Sequence, residues 1–217
     1  MIRLISLLAL CLASILRAQD SGVQVSFLAE SVPDSLGQVQ MVADKHQSAA
    51  FDLSTTNISQ PIVAPARSFK LRKAGKDEIV ASVALPAAGK AFIVLLVTAS
   101  EATYTPVAIP AKDPSFKPGD IYFYNHTDKA ITGKVGTTTL SLEPNKGQAI
   151  KPQGAEDNAY EVAMNAQEEA GERAITKTRW PVDKNMRSYV LLFVNPANKR
   201  IDFRAIDEFV APDKHAK

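Results

Sequence analysis

The sequence predicts an all-β fold made of two tandem β-sandwich units, and three observations carry that prediction. Short stretches alternate apolar and polar residues, the two-residue period of a strand with one face buried. Turn residues punctuate these stretches about every 8 to 12 residues, the spacing of a sandwich. The third observation is an echo: the apolar run Phe92-Ile93-Val94-Leu95-Leu96-Val97 returns as Tyr189-Val190-Leu191-Leu192-Phe193-Val194. Around it, at a separation of 96 residues, Phe27 meets Phe123, Gly37 meets Gly133, Val39 meets Val135 and Ala74-Gly75 meets Ala170-Gly171. Single-residue gaps then align Pro86 with Pro181, Val97 with Val194 and Ala108-Ile109 with Ala205-Ile206. Self-similarity at a fixed period marks a duplicated structural plan. The first unit is assigned to residues 22–112 and the second to 113–210, with 211–217 a polar tail. One larger sandwich built from two similar halves is the alternative, because all-β domains of about 200 residues occur.

Each element follows from local pattern. Residues 1–18 have the layout of a signal peptide: Arg3, then an uncharged apolar run from Leu4 to Leu16, then Arg17-Ala18. That run is too short for the roughly 20 residues of a membrane-spanning helix, so no stable transmembrane anchor is expected. Ala18 suits the end of a leader although Leu16 is large, whereas Cys11-Leu12-Ala13 fits the small-x-small rule but leaves a short apolar core. Residues 23–27 and 38–42 alternate around the turn Pro33-Asp34-Ser35-Leu36-Gly37, and 50–53 is a third candidate strand. Residues 56–65 hold two prolines without a period and are assigned to loop. Strands follow at 68–73 and 78–85 about Ala74-Gly75-Lys76-Asp77, then at 92–97 and 104–109. The continuous apolar run over 92–97 indicates a strand covered on both faces.

The second unit repeats the plan at 120–125, at 135–142 before the turn Glu143-Pro144-Asn145-Lys146-Gly147, and at 160–166. Alanine and glutamate would allow a helix over 160–175. Gly171 breaks that stretch, and the alternation of Ala174, Thr176, Thr178 and Trp180 favours a hairpin. Strands at 189–194 and 201–206 close the unit.

Composition excludes several chemistries. The chain has 25 Lys plus Arg against 23 Asp plus Glu, and a leader carrying Arg3 and Arg17 removes the difference. No basic face points to nucleic acid. The one cysteine, Cys11, lies in the leader, so a mature chain has no disulfide, zinc-thiolate site, iron–sulfur cluster or cysteine nucleophile.

No motif assembles a catalytic, metal or cofactor site. His46, His126 and His215 show no metal-ligand spacing, and only His126 beside Asp128 forms a pair to inspect. Glu168, Glu169 and Glu172 fall on a predicted hairpin tip, where charges are solvated. Asp202 and Asp207-Glu208 read as outward-facing residues of the last strand. Asn57-Ile58-Ser59 and Asn125-His126-Thr127 fit the N-glycosylation triplet, which has that meaning only in a eukaryotic secretory route. The binding candidates are aromatic. Tyr122 and Tyr124 share one face of a strand opposite Phe123 and are expected to be exposed. Trp180, the only tryptophan, precedes Pro181 where the first unit has Leu85-Pro86, which favours a core role.

At Phe123-Tyr124-Asn125-His126-Thr127, Val135-Gly136 and Leu142-Glu143-Pro144-Asn145-Lys146-Gly147, the second unit resembles uncharacterised exported all-β proteins of Verrucomicrobia-like bacteria. Some proteins of that kind look immunoglobulin-like and are encoded beside type IV pilus genes. The resemblance implies a cell-envelope or pilus-linked role in the periplasm, at the outer membrane or at the cell surface, and carries over no functional residue. The expected function is non-enzymatic binding to an envelope or surface protein. A carbohydrate-binding module using Tyr122, Tyr124 or Trp180 is the alternative. A hydrolase built from scattered carboxylates, or from His126 and Asp128, is the third reading. Intact-mass analysis of the exported protein is expected to show a chain beginning at Gln19; a chain beginning at Ser14 would place the leader's end at Ala13.

Overall fold

The computed structural model describes residues 22–111 and 113–211, so the leader expected at 1–18 and all but the first residue of the tail lie outside the described residues. The described residues contain no helix and sixteen strands. Those of the first unit are β1 (Gln24–Ala29), β2 (Val39–Ala43), β3 (His46–Gln47), β4 (Ile62–Val63), β5 (Ser68–Lys73), β6 (Ile79–Ala84), β7 (Ala91–Ser100) and β8 (Thr103–Pro110). The second unit has β9 (Ile121–His126), β10 (Ile131–Val135), β11 (Thr138–Leu142), β12 (Gly147–Ile150), β13 (Ala159–Glu168), β14 (Gly171–Pro181), β15 (Met186–Val194) and β16 (Ile201–Phe209).

The repeat holds at the level of topology. The first unit pairs a sheet β4-β1-β7-β8 with a sheet β3-β2-β5-β6; the second pairs β12-β9-β15-β16 with β11-β10-β13-β14, the same plan strand for strand. β1 runs parallel to β7, as β9 does to β15, and their registers agree: Phe27 faces Val94, and Phe123 faces Val190. The β5–β6 and β13–β14 hairpins carry corresponding bulges, leaving Val80 and Ile175 unpaired. The separation therefore varies along the chain. It is 96 over the parallel pairs and 95 at the bulges, the value that aligns Pro86 with Pro181.

Register also corrects part of the sequence alignment. Met41, Leu71 and Ala81 stand side by side, as do Gly133, Met164 and Thr176, so Met41 corresponds to Gly133 and a separation of 96 does not hold over β2 and β10. Likewise Val97 corresponds to Phe193 rather than to Val194, because the extra residue lies in the following turn.

Three apolar layers hold the four sheets together. Phe27, Met41, Phe69, Leu71, Phe92 and Leu96 belong to the first sandwich's core, and Phe123, Ile131, Leu142, Met164, Val190 and Leu192 to the second's. A third layer, containing Leu28, Ile93, Leu95, Val97, Tyr124, Tyr189 and Leu191, lies between the two sandwiches. β7 accordingly sends Phe92, Val94 and Leu96 into its own core and Ile93, Leu95 and Val97 into the layer shared with the second unit. The expectation of a strand buried on both faces is met, and its outer cover is the other repeat.

Other local readings change. Residues 135–142 are not one strand: Gly136, at φ 58°, turns the chain between β10 and β11. A Cβ there would stand 1.9 Å from the Gln153 carbonyl oxygen, so the position demands glycine on two grounds. Residues 50–53 contribute only a bridge from Phe51 to Val39. The stretch 160–175 is the hairpin β13–β14 and not a helix.

Leu191→Ala should cost about 2–5 kcal/mol, since the layer between the sandwiches cannot collapse without moving two sheets. Gly136→Ala should also destabilise, through both φ and the clash. Urea midpoints of the two variants check these outcomes.

Candidate functional site

The aromatic candidates do not form one site. Tyr124 is 7 % exposed and Tyr122 is half-buried; both face the layer between the sandwiches, where Tyr122 meets Phe116 edge-on at 6.3 Å and Tyr189 at 6.5 Å. The expectation of an exposed Tyr122–Tyr124 pair is corrected, because the face of β9 opposite Phe123 is covered by the first unit. Burial pushes the Tyr122 hydroxyl up to about 12 and raises Tyr124, the latter also through the nearby Glu30 charge. Tyr189 is raised by burial and by Glu208, to which its hydroxyl donates at 2.8 Å.

Polar contacts pin this junction. The buried Glu30 carboxylate accepts the Thr98 amide at 2.7 Å and meets His126 Nδ1 at 2.9 Å, joining residues 96 apart at corresponding strand ends. Arg204 donates to the Glu30 carbonyl at 2.8 Å while lying over the Phe193 ring. Arg187 pairs with Glu208 at 2.7 Å, donates to the Ala111 carbonyl and covers Phe116. His126 thus partners Glu30, whereas Asp128 turns to Lys129 at 3.7 Å. His126 and Asp128 nevertheless line one cavity of about 590 Å³, with Ser31, Thr98 and Thr127; among the described residues His126 forms no hydrogen bond to any of these hydroxyls. Glu208, expected to be solvated, is instead tied to Arg187 and Tyr189. Glu168 pairs with Arg173 at 2.6 Å on the hairpin tip. Asn125, the first residue of a glycosylation triplet, is 0 % exposed and its amide donates to the Lys129, Leu142 and Glu143 carbonyls, which leaves it closed to a glycan.

Trp180 lies elsewhere. Its ring stacks on Phe123 at 6.2 Å and tilts against Phe203 at 5.9 Å, so the core role holds, and its remaining surface lines a cavity of about 230 Å³. That cavity marks the main departure from the repeat. In the first sandwich β6 runs beside β8 and closes that side; the corresponding β14 and β16 stay apart. Register assigns a reason: where the first unit has Leu85 and Pro106, the second has Trp180 and Phe203, whose rings stand between the two strands.

The open side presents two unpaired strand edges. β14 and β16 each end their sheets, and the two strands span eleven and nine residues. β8 is blunted by Pro106 and Pro110, while β16 has no proline and β14 only the terminal Pro181. Three cations and one acid lie on β14, against three acids and Arg204 on β16. Nothing in the strand pattern of β14 or β16 alone reveals this, since the signal is a difference between two aligned repeats.

No protein-family model and no curated protein matches the chain. Raised tyrosines stabilise the fold below their ordinary value near 10, and that stability is lost as pH climbs through the folded value, because the unfolded chain releases the proton first. For Tyr122 the window runs from about pH 10 to about 12. The melting temperature should fall across that window, and Tyr122→Phe should make the fall shallower.

Proposed function

We propose that this chain is an exported, non-enzymatic interaction protein of the cell envelope, and that it binds an extended segment of another envelope or surface protein along the open side of its second sandwich. The observation that carries the reading is the pair of long, unpaired edges on β14 and β16, beside first-unit counterparts that cover each other. An exposed edge offers a row of backbone donors and acceptors, and adding a strand satisfies them while side-chain pockets supply specificity. The opposite charge balance of the two edges selects a partner whose own charges complement the edge it joins. Export rests on the signal-peptide layout of residues 1–18, and a pilus-linked partner rests on the resemblance of the second unit.

The carbohydrate reading has less support, because Tyr122 and Tyr124 are packed between the sandwiches and Trp180 is held by Phe123 and Phe203. A photo-crosslinking residue at the exposed position of Lys177 on β14, used in intact cells, should trap an envelope protein. The same residue at Lys70 on β5, an inner strand, should not. In the purified complex the β14 amides should exchange with solvent more slowly than in the free chain. Equal crosslinking from both positions, or unchanged β14 exchange, would sink the reading.

A further inference from the structure

The cavity beside Trp180 has a composition that selects its occupant. At about 230 Å³ it falls below the roughly 300 Å³ at which drug-sized ligand sites begin, so it suits one side chain better than a whole small molecule. Tyr160 and Trp180, directly opposed across β13 and β14, form an aromatic wall, and Met186 adds a thioether. These surfaces accept an apolar stem.

The polar lining has one sign. Asp207 uses Oδ1 to accept the Ser188 hydroxyl at 2.6 Å, and Asp183 uses Oδ1 to accept the Asn185 amide at 2.9 Å. Among the described residues neither carboxylate forms an ion pair, and each retains an oxygen with no protein donor. Both aspartates are exposed at the cavity's mouth, where water hydrates their free oxygens, so their effect is one of charge: an anion is repelled there and a cation attracted. A cation on an apolar stem uses everything the site offers, because a charged donor strengthens the bond to a carboxylate and an aromatic wall favours a cation over a neutral group.

The first sandwich has no such arrangement. The position corresponding to Asp207 is Pro110, and the corresponding side of the sandwich is closed by β6 and β8. Cavity and carboxylates therefore occur together, in the unit whose edges are open.

From this we infer that the cavity is an anchor pocket for a lysine-type side chain, an ammonium on an unbranched hydrocarbon stem, with Tyr160, Trp180 and Met186 holding the stem and Asp183 and Asp207 the charge. The inference deepens the proposed strand capture and rests on it for the source of that side chain. Trp180 is the only tryptophan, so its emission reports the pocket directly. Titrating the full chain with n-butylammonium chloride, and with butan-1-ol at matched ionic strength, should give a saturable change with the ammonium alone. In the double variant Asp183→Asn, Asp207→Asn the dissociation constant should rise about tenfold, as loss of a charge-assisted bond implies. Equal responses to both probes, no response to the ammonium, or an unaltered constant in the double variant would overturn the inference. Strand capture is read separately, from the β14 amides in the crosslinked complex, so either reading can fail while the other stands.

Discussion

The structure depends on burying one strand from both sides, twice. β7 and β15 carry apolar residues at every position of their central runs, and a sheet with water on one face could not hold either. Each strand meets its own sandwich's core on one side and the other repeat on the other. A buried Leu or Ile is worth about 1.5–3 kcal/mol relative to exposure, so exposing the layer between the sandwiches would cost a large part of a domain's usual stability. This constraint makes the two units one stack of four sheets, and it explains why a chain without cysteines in its strands needs no covalent brace. It also explains the placement of Tyr122, Tyr124 and Tyr189, whose long rings fill space between two twisted sheets while the hydroxyl of Tyr189 finds Glu208.

Against that shared frame the two units differ where a few side chains change size. Leu85 and Pro106 let β6 lie beside β8, whereas Trp180 and Phe203 hold β14 and β16 apart. A duplicated plan supplies its own comparison here: topology, parallel register and bulge positions agree, so the open side goes with what differs between the repeats, the Trp180 and Phe203 rings and the longer β13–β14 hairpin among them. Immunoglobulin-sized sandwiches host many functions, and the difference between the repeats points to a surface more directly than the architecture does.

Much of the strand pattern was legible in the residues. Alternation located β1, β5, β6, β13 and β14, whereas the bulge shared by both hairpins left no mark in the periodicity. The misses have local causes. Gly136 looked like a member of an alternating run because periodicity does not register a φ of 58°, and the two-residue strands β3 and β4 are too short to show any period. The match of Val39 with Val135 rested on residue type, and pairing across three strands moved it. Of the candidate site, Trp180 was visible as a lone large aromatic, and its match to Leu85 was visible too. Asp183 and Asp207 were not, since 24 residues separate them and nothing in the chain announces that both border one cavity.

What the sequence determined by itself is the class and the plan: an all-β chain, written twice, with one run in each copy too apolar for a water-facing sheet. Those features are local, because alternation and apolar density act over a few residues at a time. Which surface covers those runs, that His126 turns to Glu30 rather than to Asp128, and that one sandwich closes while its counterpart stays open were decided only by tertiary structure. Each depends on groups brought together from far apart in the chain, and their separation in space follows from the packing of sheets against sheets rather than from any spacing along the backbone.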